Sequence, residues 1–203
     1  MKVMDMKERP IIFTAPMVNA ILRGEKTQTR RIVKHQFDAI TDYRPGHDSE
    51  LLALCPYGKI GDVLWVRETW KSLGIHERLK PSEIPVGSDI QYPATYDGWV
   101  SKRRPSIFMP RWASRITLRI VNVRAERLQD ISEADAYAEG IDTEGCAYLT
   151  AEHHKLGGCS GPSASVCAFQ GLWQSIHGPE SWEENCWVWV IEFERIEPCT
   201  WKD

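Results

Sequence analysis

Residues Arg115 to Arg127, RITLRIVNVRAER, alternate apolar and polar side chains over a longer stretch than any other segment of the chain. Ile116, Leu118, Ile120 and Asn122 fall on one face and Thr117, Arg119, Val121 and Val123 on the other, which is the period of a β-strand. The same period recurs in Arg9 to Phe13, in Val63 to Thr69 after a Gly61–Asp62 turn, and in the final CWVWVIEFERI, Cys186 to Ile196. Helical signals between them are short. Thr14 followed by Ala15 and Pro16 predicts an N-cap and a helix to about Arg23, with Gly24 placed to end it in a left-handed conformation. Ser132, followed by Glu133, Ala134 and Asp135, opens a second short helix that Gly140 closes, and Val166 to Ile176 predicts a third. No regular crossover helices separate the strands as a parallel sheet requires, so the expected class is α+β, a small mixed barrel with two or three short helices.

The chain has 203 residues, 42% of them hydrophobic, and this is enough for a real core in a single domain spanning 1–203. Three stretches without clear periodicity, about 34–60, 71–110 and 142–165, are expected to be loop insertions into that domain. The longest uninterrupted apolar run, Cys186 to Ile191, is far below the roughly 18 residues of a membrane helix, and MKVMDMKERP lacks the apolar stretch of a signal peptide. A cytoplasmic protein without a membrane partner is therefore expected. The six cysteines (55, 146, 159, 167, 186, 199) contain no CxxC pair, which favours reduced thiols over a disulfide framework. Cys146, His153, His154, Cys159 and Cys167 are zinc-capable ligands, but their spacing lacks a tight knuckle, so neither a metal nor another cofactor is expected. Trp187 and Trp189 alternate with valines in the last strand and are expected in the core or barrel wall.

A net charge of −3 argues against a nucleic-acid partner only until it is resolved along the chain. Residues 1–97 carry +1, residues 98–127 carry +7 and residues 128–203 carry −11. The basic segment contains Lys102, Arg103, Arg104, Arg111, Arg115, Arg119, Arg124 and Arg127, an asymmetry that can mark a polyanion-binding face. Its bland counterpart is a solvated strand paired to an acidic neighbour. Trp112, between Arg111 and Arg115, is a candidate for stacking on a base and equally for covering one end of the barrel.

Gly24 to Arg31, GEKTQTRR, places an amine, two hydroxyls and two guanidinium groups within eight residues at a helix-to-strand turn. Such a turn can converge them on one small anion or base. A partly buried lysine can become a proton acceptor and a neighbouring threonine a nucleophile. A solvated basic turn with strand-favouring threonines is the simpler reading of spacing alone.

GEKTQTRRIV, GDVLWVRETW, RPSIFMPRWASRITLRIVNVRAERLQDISEADAYAEGI, FQGLWQSIHG and CWVWVIEFERI together resemble an ASCH domain of the PUA-like superfamily, in the version found in phages and prophages. The match covers about half of the chain. The resemblance implies a PUA-like β-barrel with a cleft for RNA or a modified nucleobase. Some relatives are amidohydrolases that remove the acetyl group from N4-acetylcytidine, and the matching positions here are Lys26, Thr29 and Glu139. For such a substrate Arg30 and Arg67 are candidates to fix a phosphate or the base edge and Trp70 or Trp112 to stack on a flipped base, with Arg111 and Arg115 of the basic segment as further nucleic-acid contacts. A non-catalytic reader of RNA or modified nucleic acid is the alternative, and a metal-dependent ribonuclease a third. Without the family, Glu139 reads as a surface glutamate before a glycine cap. The oligomeric state is not legible.

Overall fold

A computed structural model describes residues 6–33, 54–98, 100–141 and 164–197. In chain order the elements are β1 (Glu8–Ile12), α1 (Ala15–Arg23), β2 (Gln28–Ile32), β3 (Val63–Arg67), β4 (Lys71–Ser72), β5 (Ile90–Gln91), β6 (Thr117–Arg127), α2 (Glu133–Ala138), α3 (Ala164–His177) and β7 (Trp187–Ile196). The class is α+β with a mixed sheet. Five strands pair in the order β1-β3-β6-β7-β2, parallel between β1 and β3 and antiparallel between β3 and β6 and between β7 and β2, and the sheet is not closed on itself. This mixed sheet with a few helices is consistent with the small mixed barrel expected from the sequence, left open between β1 and β2 among the described residues. The chain divides into two compact units, Met1–Gly24 with Pro56–Val121 and Phe193–Asp203, and Glu25–Cys55 with Asn122–Glu192; β6 and β7 run through both.

In the first unit, β3 is buried along most of its length because both of its edges are paired. Val63, Leu64, Trp65 and Val66 join Ile116, Leu118 and Ile120 from the β6 segment, and α1 adds Val18, Ala20 and Ile21. The alternation read from the sequence thus delivers its Ile116, Leu118 and Ile120 face to the core. Asp62 opens β3 as an anchor, accepting hydrogen bonds from the Lys7 and Lys59 backbone N–H groups and from Arg9 Nη1 at 3.1, 3.2 and 2.8 Å. Burial alone would raise its pKa; these donors outweigh it and leave the carboxyl below the ordinary 3.8.

The stretch 71–110 is irregular, as expected, but is not only a surface excursion. It contains the β4–β5 pair and short 3-10 turns, and it contributes Ile84 and Met109 to a second cluster with Trp70 and Ala113. Arg104 ties it down: its backbone exchanges hydrogen bonds with Trp70, its guanidinium donates to the carbonyls of His76 and Leu79, and it lies over the Trp70 ring at 5.4 Å.

In the second unit, α3 presents Val166, Phe169 and Trp173 at helical spacing to Leu128, Ile131, Ala136, Val188 and Val190. The helix begins at Ala164, two residues inside the segment expected as a loop. Cys167 on this helix is disulfide-bonded. The expectation of reduced thiols fails at that position. Residues 34–53 and 142–163, with Cys146, His153, His154 and Cys159, lie outside the described residues.

Four helix ends test the capping rules. Gly24 ends α1 at φ 78, donating its N–H to Ala20 and Ile21, and Gly140 follows α2 at φ 80. Ser132 caps α2 through a reciprocal box with Asp135, its Oγ accepting from the Asp135 N–H at 3.1 Å. Thr14 differs from expectation: its backbone is extended as a cap requires, but its hydroxyl makes no capping bond. A Cβ at Gly24 would meet nothing within 4 Å, so Gly24→Ala tests backbone conformation alone and is expected to cost about 1 kcal/mol in urea unfolding. Gly58→Ala, whose Cβ would lie 2.7 Å from both Arg9 Nη1 and Asp62 Oδ2, is expected to cost more.

Candidate functional site

The turn after Gly24 brings the chain back across the end of α2. Lys26 and Glu139 form an isolated antiparallel bridge, and the Thr27 N–H donates to the Ala138 carbonyl at 2.9 Å. The Lys26 side chain then turns inward. Its Nζ donates to the Glu139 carbonyl at 2.9 Å and to Glu139 Oε2 at 2.6 Å, with both residues buried, at 2% and 5% exposure. Burial lowers the Lys26 pKa; Glu139 pulls it back up and Arg31 and Arg30 push it further down. Glu139 is therefore not a surface residue before a glycine. The short helix capped by Ser132 delivers it to a buried amine.

Arg30, with no exposed side-chain surface, binds the second oxygen of Glu139 at 3.3 Å, Glu126 at 2.5 Å and Asp135 at 3.4 Å. Its guanidinium also lies 5.6 Å from the centre of the Phe169 ring. Arg124 extends the network to Glu126, Asp135 and Glu192. These carboxylates were missed in the sequence. Two signals pointed to them: Arg124 and Glu126 share a face of β6, and Asp135 and Glu139 stand four apart, one above the other, at the α2 end.

Thr29 sits differently. On β2 it pairs with Ile191 while Arg30 pairs with Val190, so alternation sets Thr29 on the opposite face of the strand from Arg30 and Gln28. It is buried, at 3% exposure. The turn thus brings together Lys26, Glu139 and Arg30, and sends Thr29 to the other side of β2 from Arg30.

The remaining candidates belong to the first unit. Trp70 is fully buried beneath Arg104, which removes its ring from any stacking surface, and Trp112 packs half-buried against the same cluster. Arg111 binds Glu8 through two hydrogen bonds of 2.8 and 3.1 Å, and Arg115 binds Glu68 at 2.8 and 3.0 Å above the Tyr92 ring. Arg67 lies over Trp65 and donates to the Ile107 carbonyl. The rest of the basic segment is also engaged: Arg103 with Asp97, Arg119 with Glu194, and Arg127 with the Asn185 carbonyl and the Trp187 ring. Five arginines of the +7 segment, Arg103, Arg111, Arg115, Arg119 and Arg124, are thus paired with carboxylates, in keeping with the bland reading of a strand paired to acidic neighbours. Trp189 is buried as expected, whereas Trp187 is only partly so.

Among the described residues no group of three or more His, Cys, Asp or Glu could hold a metal, and no helix is long and apolar enough to cross a membrane.

No family model and no curated protein matches the chain. It is similar in structure to an ASCH domain from Lactobacillus crispatus JV V101, at 13% identity and a TM-score of 0.38, covering 94% of this chain and 80% of that one. It is similar also to a DUF984 protein from Enterococcus faecalis V583, at 12% identity and a TM-score of 0.34, covering 88% of this chain and 66% of that one. Identities this low transfer no activity.

Asp135 offers a test of the network that is independent of function. Burial would raise its pKa, but the Ser132 hydroxyl, Arg30 and Arg124 outweigh that and hold it at about 2 against the ordinary 3.8. A depressed folded pKa contributes stability that is complete above the unfolded value and lost as pH falls through the folded one. Urea unfolding between about pH 5 and pH 2 should show stability declining below about pH 4, with the decline shallower in Asp135→Asn. Equal slopes in the two proteins would refute the pairing.

Proposed function

We propose that the chain is an ASCH-type nucleobase-binding domain acting as an amidohydrolase on N4-acetylcytidine-type nucleosides. The observation that carries this reading is the buried Lys26–Glu139 pair, an amine with a lowered pKa held 2.6 Å from a carboxylate beside a further cation. A solvated basic turn would need none of this burial. Hydrolysis of an N-acyl cytosine requires a proton acceptor for the attacking group, a donor to the developing oxyanion and a proton for the departing amine. Glu139 takes the proton of an attacking water. The new C–O bond forms at the acyl carbon, and the Lys26 ammonium and Arg30 guanidinium stabilise the oxyanion. The C–N bond then breaks as Glu139 returns its proton to the exocyclic nitrogen, the cytosine amine leaves, and the acetic acid leaves as acetate with its remaining proton released to solvent.

Water takes the attacking role because Thr29 lies on the other face of β2 from Arg30. Thr29 supports the turn in this reading and is not the nucleophile. The ion pairing of the basic segment supports a small nucleoside substrate over a long polyanion, whose binding would need free cations.

Incubation with N4-acetylcytidine followed by chromatography tests the reaction. Glu139→Gln and Lys26→Met are expected to lower kcat by about 100-fold or more, and Thr29→Ala by less than about tenfold. Breaking a buried pair costs about 3–5 kcal/mol, whereas replacing both partners by apolar groups is often neutral. The Lys26→Met, Glu139→Leu double variant is therefore the control, expected to melt like the parent and to be inactive. Full activity in all three single variants would sink the reading. A Thr29→Ala protein as inactive as Glu139→Gln would return the attack to the threonine. Binding of the nucleoside without turnover by the parent would leave a non-catalytic reader.

A further inference from the structure

Among the described residues, two buried donors on the strand that carries Arg30 to Glu139 have no acceptor. Gln28 is 2% exposed, and its Nε2 makes no hydrogen bond to any described residue. Arg30 uses both Nη atoms on carboxylates while its Nε has no partner. The two residues stand at i and i+2 on β2 and so share one face of the strand. The orientation of the Gln28 amide is set by its neighbour: Oε1 accepts from Arg124 Nη2 at 3.5 Å, and the flipped amide would oppose donor to donor. A buried donor left without an acceptor is costly. Two on one strand face, beside a buried amine and carboxylate, mark the place of an absent acceptor.

The charge of the surroundings says what kind. Four cations, Lys26, Arg30, Arg31 and Arg124, meet four carboxylates, Glu126, Asp135, Glu139 and Glu192. This balance leaves no excess positive charge for a phosphate and suits acceptor atoms that carry no formal charge.

We propose that Gln28 is a specificity-determining residue of this site: Gln28 Nε2 and Arg30 Nε donate to the acceptor edge of a neutral pyrimidine, the carbonyl oxygen and ring nitrogen of a cytosine. This deepens the reading of the site as a nucleobase pocket and rests on it, but it does not require turnover. Gln28 touches the base, and the chemistry belongs to Lys26 and Glu139.

Calorimetric titration with two unreactive probes tests it. 1-Methylcytosine keeps the C2 carbonyl, and pyrimidin-4-amine lacks it. The parent protein is expected to bind the first about tenfold more tightly, as a site that hydrogen-bonds a carbonyl rejects the analogue without one. Gln28→Met, equal in length and without donors, should bind both alike and with a melting temperature no lower than the parent's. Cytidine 5′-monophosphate should bind no more tightly than cytidine at low salt. The proposal is overturned if the parent does not discriminate between the probes or binds neither, if Gln28→Met discriminates as the parent does, or if the phosphate tightens binding. Should Gln28→Met not fold, the parent's discrimination between the two probes decides alone. Discrimination without hydrolysis of N4-acetylcytidine would remove the amidohydrolase reading and leave this one standing.

Discussion

The second unit is organised by one buried ion pair. Lys26 and Glu139 are 113 positions apart in sequence, and their contact joins the start of β2 to the end of α2 through side chains and backbone together. Neither charge would tolerate its surroundings alone, since desolvation of an isolated amine or carboxylate costs several kcal/mol. Each partner therefore depends on the other being delivered. The Ser132 cap, the Gly140 turn and the packing of Ala136 beneath them are the means of delivery on one side. Gly24 and the Thr27 backbone bond are the means on the other.

Around this pair, arginines do the work of connection. Arg30 gathers three carboxylates from two elements, and Arg124 gathers another overlapping set. The planar guanidinium suits this task because it presents several donors in fixed directions, which a lysine cannot. Similar use recurs in the first unit, where Arg104, Arg111 and Arg115 each tie a loop or strand end to a carbonyl or carboxylate across the sequence. The acidic C-terminal third supplies Asp135, Glu192 and Glu194 to the basic segment, and Glu8, Glu68, Asp97 and Glu126 come from the rest of the chain. The run of positive charge along the chain is thus met by partners drawn from all parts of it.

What the sequence made legible was whatever depends on near neighbours. The period-two runs located β1, β3, β6 and β7, and left-handed glycines and Ser132 placed the helix ends, because strand alternation and caps are decided within a few residues. Lys26 and Glu139 were reachable through family motifs, but their burial was not, because it is produced by a contact over 113 positions. The same limit explains Trp70, whose neighbours Ile84, Met109 and Ala113 come from an aperiodic stretch, and the basic segment, whose partners Glu8, Glu68 and Glu194 lie elsewhere in the chain. Cys167 escaped for a chemical reason: spacing rules find metal knuckles and dense frameworks, and widely spaced cysteines in a sizeable chain have neither signature.

The five residues of β2 have a consequence for how this segment can vary through descent. Gln28 and Arg30 face one side and Thr29 and Arg31 the other, in fixed register against Glu192, Ile191, Val190 and Trp189. Substitutions can alter one face while sparing its opposite. Loss or gain of a single residue between Lys26 and Ile32 would exchange the two faces wholesale, turning the polar network away from Glu139. This short segment can drift in letters but not in length.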